Sequence, residues 1–207
     1  MTALILVDIQ NDFFPNGALP VPHGNEILPA INALTQLPFD FIIATQDWHP
    51  ANHGSFAETH RKPVGATIEL NGVRQILWPT HCVQNTHGAE FAPGWDRSNV
   101  HHVVYKGTDR LVDSYSAFFD NEKKCSTGLA NFLKEKNIAT VVIAGLATDY
   151  CVKYSVLDAL QLGFKTFVIP EGCRGVNINP HDTDNAIKEI LTAGAVLTTV
   201  EALKKSF

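Results

Sequence analysis

The chain has 207 residues, of which 45% are hydrophobic and 18% charged, and its formal net charge is -5. This composition is typical of one globular domain over residues 1–207 and excludes a disordered polyelectrolyte. An acidic balance without a local Lys or Arg cluster also argues against nucleic acid as a partner. The segment MTALILVDIQ lacks the pattern of a signal peptide or membrane span, so we expect a cytoplasmic protein with no membrane partner and with reduced cysteines.

Short apolar runs alternate with helix-like segments along most of the chain. The predicted strands are 3–8, 39–47, 101–106, 140–145, 164–170 and 195–200. The predicted helices are 24–37, 126–137, 148–163 and 181–194. Continuous apolar runs are typical of strands that are buried on both faces of a parallel sheet. The alternation therefore predicts an α/β fold, a three-layer α-β-α sandwich with a mainly parallel, six-stranded, doubly wound sheet.

The segment 48–100 does not follow this alternation. It is rich in His, Pro, Gly and Asn and shows little helical period. Long irregular segments inside compact domains are often functional, and we interpret this one as a metal-binding loop insertion. No Gly-x-Gly-x-x-Gly follows the first predicted strand, which argues against a dinucleotide-binding domain.

Reactive side chains stand at the ends of four predicted strands. Asp8 ends the first strand and Asp47 the second. Lys106 ends the third, and the fourth runs into Cys151. Each residue alone has an ordinary structural explanation, as a solvated loop residue or a small buried thiol. Because ligands bind beyond the carboxyl ends of parallel strands, their coincidence at one edge of the sheet favours a catalytic site.

Cys151 is the candidate nucleophile. If Thr148 caps the helix that begins here, the thiol lies in the first turn, where free N–H groups and the helix dipole stabilise a thiolate. Lys106 would add to this effect. Asp8 could take the thiol proton and later pass it to a leaving group, and the N–H groups of the helix start could hold an oxyanion. We interpret Asp149 as a helix-start carboxylate that the dipole favours.

A second group combines one carboxylate with two imidazoles. Asp47 and His49 alternate along the extended segment TQDWHP, and His81 can join them from WPTHC. Such a set, with open positions for water, suits a catalytic Zn²⁺ or Fe²⁺. His53 is a further candidate ligand, for which a structural role is equally compatible. For three other polar residues of this segment we favour solvated loop positions: Glu58, His60 and His87.

Three aromatic residues lie close in sequence to these polar groups, namely Phe13, Trp78 and Tyr115. Aromatic side chains are more often part of a core than of a ligand site. Together, these three could wall a slot for a flat ring.

Five motifs resemble the nicotinamidases of the isochorismatase-like hydrolase superfamily. They are VDIQNDFF (7–14), QDWHPANHGSF (46–56), WPTHC (78–82), YKGTD (105–109) and GLATDYCV (145–152). Their order and approximate spacing agree along nearly the whole chain. The resemblance implies a cysteine amidase that converts nicotinamide to nicotinate and ammonia, often accepts pyrazinamide, and serves NAD salvage.

The resemblance also implies roles for the residues at the strand ends. Asp8 would be the general base and acid, Lys106 the organising cation and Cys151 the nucleophile. The peptide before Ala147 would be cis, and the N–H groups of Ala147 and Cys151 would form the oxyanion hole.

For the remaining motifs, the resemblance implies a metal and a ring pocket. Asp47, His49 and His81 would hold a divalent metal that binds the pyridine nitrogen; we expect Zn²⁺, with Fe²⁺ or Mn²⁺ as alternatives. His53 stands where relatives differ in an additional metal contact. The ring pocket would be formed by Phe13, Leu19, Trp78 and Tyr115.

Three other functions are compatible with parts of the sequence. A metal-independent isochorismatase-like amidase acting on another small amide leaves the Asp47, His49 and His81 set without a function. If the protein were a non-haem iron oxygenase, Asp8 and Cys151 would have no function. A metal-stabilised ligand-binding protein would bind a pyridine carboxamide without releasing ammonia. The sequence does not specify the number of subunits, so a homo-oligomer stays open.

Overall fold

The computed structural model describes residues 1–206 and contains eight strands and six α-helices in that part of the chain. The strands are β1 (Thr2–Val7), β2 (Phe41–Asp47), β3 (Thr67–Leu70), β4 (Val73–Ile76), β5 (His102–Lys106), β6 (Thr140–Leu146), β7 (Lys165–Arg174) and β8 (Val196–Leu197). The helices are α1 (Leu28–Thr35), α2 (Ala57–His60), α3 (Leu129–Glu135), α4 (Lys153–Gln161), α5 (Asp182–Thr192) and α6 (Val200–Lys204).

Six strands form one sheet in the order β5-β2-β1-β6-β7-β8, and every pairing in it is parallel. The sheet grows from β1 in both directions, through β2 on one side and through β6 on the other. Crossovers between parallel strands are right-handed. Helices that connect strands on one side of β1 therefore lie on one face of the sheet, and helices that connect strands on the other side lie on the opposite face. Accordingly, α1 packs against α6, while α4 packs against α5. The predicted doubly wound sandwich is confirmed.

The central strands are buried on both faces. β1 buries every residue after Thr2, and β6 buries every residue after Thr140. Their Leu, Ile, Val and Ala side chains show no alternation with polar residues, which is what a sheet covered by helices on both sides requires. The strands therefore form a rigid support, and polar chemistry is confined to the residues at their carboxyl ends.

Gly145 allows β6 to approach β1 closely. It pairs with Val7 in register and has a φ of 132°, a backbone conformation that L side chains rarely adopt. A Cβ at this position would lie 2.1 Å from the Val7 carbonyl oxygen. The chain therefore needs glycine inside the strand, just before it leaves the sheet toward Cys151.

The predicted helix 148–163 begins differently from the expectation. Its first turn, Thr148–Val152, is π-helical, and the Val152 N–H bonds to the Ala147 carbonyl at 3.1 Å. Ala147 precedes the turn in an extended conformation, and no side chain caps it. The prediction that Thr148 caps this helix is wrong, because the turn is closed by a backbone carbonyl instead.

The C-terminal elements also differ from the prediction. The predicted strand 195–200 is reduced to β8, and α6 begins at Val200. The reason is the Thr199 side chain, which accepts a hydrogen bond from the Ala202 N–H and so caps α6. In contrast, β7 continues to Arg174, four residues beyond the predicted end at 170.

The irregular segment 48–100 contains α2 and an antiparallel hairpin of β3 and β4. The turn of this hairpin is Asn71-Gly72, and both residues have positive φ, 50° and 84°. Asn-Gly between two short strands is a strong signal for a two-residue hairpin turn. The signal is present in the sequence, but the expectation of an irregular loop overlooked it.

The longest helix, α5, has 11 residues, about half of the roughly 20 that a helix needs to cross a bilayer. Within residues 1–206, no helix is both long enough and apolar enough to span a membrane.

The close approach at Gly145 makes a testable prediction about stability. We expect Gly145→Ala to lower the free energy of unfolding by about 3 kcal/mol or more, because the added methyl group overlaps the Val7 carbonyl. Gly163→Ala is the matched control: Gly163 also has positive φ, 88°, but a Cβ added there would meet no neighbouring atom of residues 1–206 within 4 Å. This control should lose only about 1 kcal/mol. Equal losses in urea denaturation would contradict the close approach.

Candidate active site

Four predicted site residues meet at the carboxyl ends of β5, β2, β1 and β6, which are neighbours in the sheet. Asp8, Asp47, Lys106 and Cys151 are 0%, 5%, 2% and 6% exposed. Lys106 Nζ lies 2.8 Å from Asp8 Oδ2 and 3.3 Å from Cys151 Sγ. It also donates to Asp47 Oδ1 and, at 3.0 Å, to the Ser114 carbonyl. The ammonium group thus joins both carboxylates and the thiol.

The two carboxylates differ in their affinity for a proton. Burial raises the pKa of Asp47, but the charges of Lys106 and His49 outweigh it and hold that pKa well below its usual range. Burial also raises the pKa of Asp8, and there Lys106 only partly compensates, so that pKa stays above its usual value. A pair of carboxyl groups whose pKa values are pushed apart separates a permanent anion from a group able to exchange protons. Asp8 is the group suited to proton transfer.

Lys106 remains a cation in this setting. Burial alone lowers its pKa, but the carboxylates of Asp47 and Asp8 raise it well above the ordinary value. An ammonium group buried against two carboxylates keeps its proton because its loss would leave both anions unpaired. Lys106 therefore supplies charge and orientation, not a transferable proton.

The Cys151 thiol does not have the lowered pKa that its place at a helix start predicts. Burial raises the pKa of this thiol well above its ordinary value, and the negative charges of Asp8 and Asp47 add to the effect, although Lys106 opposes it. Cys151 consequently keeps its proton in this arrangement and needs an adjacent base to become a nucleophile.

Asp47, His49 and His81 form the second predicted group. They are buried, and each offers a ligand atom within 4.8 Å of the others. Asp47 Oδ2 lies 3.6 Å from His49 Nε2 and 3.7 Å from His81 Nε2. The structure thus brings together one carboxylate and two imidazoles that are able to hold a divalent metal.

Hydrogen bonds place a proton on Nδ1 of both imidazole rings, so that Nε2 can bind a metal when the ring is neutral. His49 Nδ1 lies 2.8 Å from the Gly107 carbonyl, and His81 Nδ1 lies 2.8 Å from the Pro79 carbonyl. Because a carbonyl only accepts, each Nδ1 must carry the proton, which leaves a lone pair on Nε2 in the neutral ring. Within the described residues, His49 Nε2 is buried without a hydrogen-bond partner. The donor set therefore fits a Zn²⁺-type site.

His53 lies behind His49 and outside the group formed with Asp47. The centroids of the two imidazole rings are 4.3 Å apart. His53 Nδ1 accepts from the Ser55 N–H at 3.2 Å, and its Nε2 is 3.4 Å from the Val112 carbonyl. Burial, with a contribution from His49, lowers the pKa of His53 to about 4, so the ring is neutral near pH 7. Its ring nitrogens are directed at protein groups.

A pocket opens above these groups. The four predicted ring-binding residues, Phe13, Leu19, Trp78 and Tyr115, line it together with Asp47, His81 and Cys151. Trp78 Nε1 donates to Tyr115 Oη at 3.1 Å, and the rings of Phe13 and His81 meet edge to face at 5.6 Å. Aromatic walls with few polar groups between them are suited to a flat heterocycle.

Sequence reasoning missed three residues of the pocket: Asp113, Tyr150 and Val176. Tyr150 stands next to Cys151, and its ring meets Trp78 edge to face at 4.8 Å. Val176 is connected to the π-helical turn Thr148–Val152 through Asp149. The two carboxylate oxygens of Asp149 accept hydrogen bonds from the N–H groups of Val176 and Asn177 at 2.9 and 2.7 Å. Asp149 thus anchors a pocket loop, a role that the helix-dipole interpretation did not include.

The peptide bond between Leu146 and Ala147 is cis, as the resemblance implies. Ala147 lines the pocket beside Cys151. Its carbonyl accepts hydrogen bonds from the Tyr150 and Val152 N–H groups of the π-helical turn.

The buried ion pairs of Lys106 lead to a prediction for chelator-treated protein. Lys106→Met should lower the free energy of unfolding at pH 7 by about 3 to 5 kcal/mol, because Asp8 and Asp47 become buried anions without a partner. The loss should shrink as the pH falls, since protonation neutralises the carboxylates in the variant. In the parent, the lowered pKa of Asp47 reduces the difference further: its stabilisation is present above the unfolded pKa and is lost as the pH falls through the folded pKa.

Urea denaturation at a series of pH values measures this difference. Lys205→Met is the control, because Lys205 is an exposed lysine paired with the exposed Glu201 and such pairs contribute little to stability. A Lys106→Met loss that is independent of pH would contradict the electrostatic explanation.

Comparisons with known proteins agree with this geometry. A family model described as the Isochorismatase domain matches residues 2–202. A nicotinamidase of Escherichia coli (strain K12) is 50% identical over 201 residues, which cover 96% of this chain and 94% of the relative. The structure of a nicotinamidase/pyrazinamidase of Acinetobacter baumanii has a TM-score of 0.94 at 42% identity and covers 98% of this chain and 97% of its own. A pyrazinamidase of Pyrococcus horikoshii in complex with zinc has a TM-score of 0.78 at 37% identity, covering 96% of this chain and 98% of its own. The chain therefore belongs to the isochorismatase domain family.

Proposed function

We propose that this protein hydrolyses the carboxamide of nicotinamide to nicotinate and ammonia, that it also accepts pyrazinamide, and that it acts in NAD salvage. The observation that carries the proposal is the contact of Lys106 with Asp8, Asp47 and Cys151 at the base of a narrow aromatic pocket. The identity to a nicotinamidase over almost the whole chain supports the choice of substrate.

The proposed metal ligands are Asp47, His49 and His81. Zn²⁺ is the first choice because a compact Asp/His₂ set with room for water is typical of it, and Fe²⁺ or Mn²⁺ suits the same donors. When bound, the metal supplies a Lewis acid that anchors the pyridine nitrogen and withdraws electrons from the ring. His53 is assigned a supporting role, since it packs against His49 and directs both nitrogens at protein groups.

Phe13, Leu19, Trp78 and Tyr115 are proposed to hold the ring. All four line the pocket that contains Cys151. Fixing a flat ring between them directs the carboxamide carbon at the thiol and removes the entropy cost of finding that orientation during the reaction.

In the proposed acylation step, Asp8 takes the proton of Cys151 and the thiolate attacks the carboxamide carbon. The raised pKa of the thiol makes this transfer necessary, and the raised pKa of Asp8 makes it a suitable acceptor. The N–H groups of Ala147 and Cys151 are proposed to hold the oxyanion. Asp8 then returns the proton to the nitrogen, ammonia leaves, and a thioester on Cys151 remains.

In the proposed deacylation step, Asp8 accepts a proton from water, which attacks the thioester carbon. The C–S bond breaks, nicotinic acid leaves and ionises to nicotinate by releasing its proton to solvent, and the proton held by Asp8 returns to Cys151. Lys106 keeps its charge throughout and stabilises the thiolate as it forms in each direction.

Replacing the nucleophile is the direct test of this chemistry. Cys151→Ala should release no ammonia from nicotinamide above the uncatalysed background while still binding nicotinamide, because the metal group and the pocket walls are unchanged. Cys125→Ala is the matched control, since Cys125 is an exposed free cysteine, and it should keep the parental rate. Ammonia release by Cys151→Ala at the parental rate would refute the thioester mechanism. Binding without turnover in the parent would favour a ligand-binding protein.

Metal removal separates the proposal from a metal-independent amidase. We expect chelation to abolish ammonia release from nicotinamide and added Zn²⁺ to restore it. His81→Ala should lower both the metal content per chain and the activity, because His81 is one of three grouped ligands. His87→Ala should change neither, as His87 is exposed and outside that group. Full activity in protein shown to be free of metal would favour the metal-independent alternative.

A further inference from the structure

Asp8 stands where the ladder between β1 and β2 ends. The last registered pair of these strands is Leu6 with Ala44. Two residues later, Asp8 has a φ of 49°, in the left-handed region that residues other than glycine seldom adopt. This conformation turns the chain out of the strand. Because a positive φ is strained in a residue other than glycine, it persists only where surrounding groups hold it in place. Asp8 is fully buried, so these groups must belong to the protein.

The support comes from one side chain on β2. The Asp8 N–H donates to Thr45 Oγ1 at 3.1 Å, and the Thr45 hydroxyl donates to Asp8 Oδ1. A hydroxyl has one proton and lone pairs to accept with, so Thr45 uses both functions on the same residue. It ties the carboxylate of Asp8 to the backbone of Asp8.

This contact determines which carboxylate oxygen faces the reacting groups. Because Oδ1 is engaged by Thr45, Oδ2 is the oxygen that lies 2.8 Å from Lys106 Nζ. Thr45 is 0% exposed, so water is not at hand to replace its hydroxyl. Rotation of the Asp8 carboxylate would separate its buried negative charge from the Thr45 hydroxyl that donates to it. Leaving a buried charge without its donor costs free energy.

We propose that Thr45 is a positioning residue for the amide hydrolysis proposed above, and that its hydroxyl holds the Asp8 carboxylate in line with Lys106 and the Cys151 thiol. Thr45 does not touch the substrate and acts only through Asp8. Proton transfer requires the base within hydrogen-bond reach of the thiol, so a carboxylate that is free to rotate spends less time in the productive position.

The test compares Thr45→Val with Thr45→Ser. Valine keeps the shape and removes the hydroxyl, while serine keeps the hydroxyl. A displacement of about 1 Å at a catalytic group costs about 100-fold in rate, so we expect kcat of Thr45→Val on nicotinamide to fall by about that factor with KM little changed. Thr45→Ser should retain most of the parental kcat.

Thr166→Val is the matched structural control. Thr166 is a buried threonine on β7, and its hydroxyl donates to the Phe164 carbonyl at 3.0 Å. The substitution removes a buried hydroxyl that also makes a hydrogen bond in the same sheet but does not contact Asp8, and kcat should stay at the parental value. An equal fall of kcat in Thr45→Val and Thr166→Val would assign the effect to general destabilisation and overturn the proposal.

A second measurement does not depend on turnover. The rate at which iodoacetamide alkylates Cys151, followed by mass spectrometry of its peptide, reports how readily Asp8 removes the thiol proton. We expect slower alkylation of Cys151 in Thr45→Val and near-parental alkylation in Thr45→Ser. The exposed Cys125 of the same molecule serves as the internal reference and should react equally in all variants.

Several results would refute the positioning role: parental kcat and alkylation in Thr45→Val, loss of both in Thr45→Ser, or loss of bound metal from Thr45→Val, which would place the defect at Asp47. If the parent released no ammonia from nicotinamide, the proposed function would fail. The alkylation comparison would still decide whether Thr45 controls the pair of Asp8 and Cys151.

Discussion

The contact of one buried ammonium group with two carboxylates and a thiol governs the chemistry of this fold. Lys106 cannot neutralise both Asp8 and Asp47, so negative charge remains in excess around it. Burial raises the pKa of the Cys151 thiol and of Asp8, and the single charge of Lys106 offsets this only in part. The same excess of negative charge lies beside two imidazoles whose Nε2 atoms can bind a metal when the rings are neutral, which is a setting that attracts a divalent cation. The proposed nucleophile, the proposed base and the proposed metal ligands therefore form one electrostatic unit.

The positions of the main site residues could be predicted because they depend on the sheet alone. Asp8, Asp47 and Lys106 each end an apolar run, and in a parallel sheet such ends share one edge. The protonation state of Cys151 could not be predicted in the same way. A helix start and a nearby lysine are visible in the sequence, whereas the depth of burial that outweighs them depends on how the whole chain packs.

Local signals account for the other differences. The Asn71-Gly72 turn and the Thr199 cap both have recognisable signals in the sequence, but neither was predicted. The π-helical turn at Thr148–Val152 has no comparable signal, because it is set by the carbonyl of Ala147. Tyr150 and Val176 likewise reach the pocket through tertiary contacts. The hairpin within the segment 48–100 contributes Gln75, whose amide contacts Asp113 and Tyr115 behind the pocket wall.

Gln10 shows how the sheet ends at the crevice. Its Nε2 donates to the Asp47 carbonyl and its Oε1 accepts the Asp47 N–H, both at 2.8 Å. A primary amide in this orientation offers the same donor and acceptor that a neighbouring peptide group would offer. The Gln10 side chain thus takes the place of a paired strand beside Asp47, because β1 ends at Val7 and no longer pairs with β2 at this point. An apolar residue at position 10 would therefore leave the N–H and carbonyl of Asp47 without these partners, next to the carboxylate that is proposed to bind the metal.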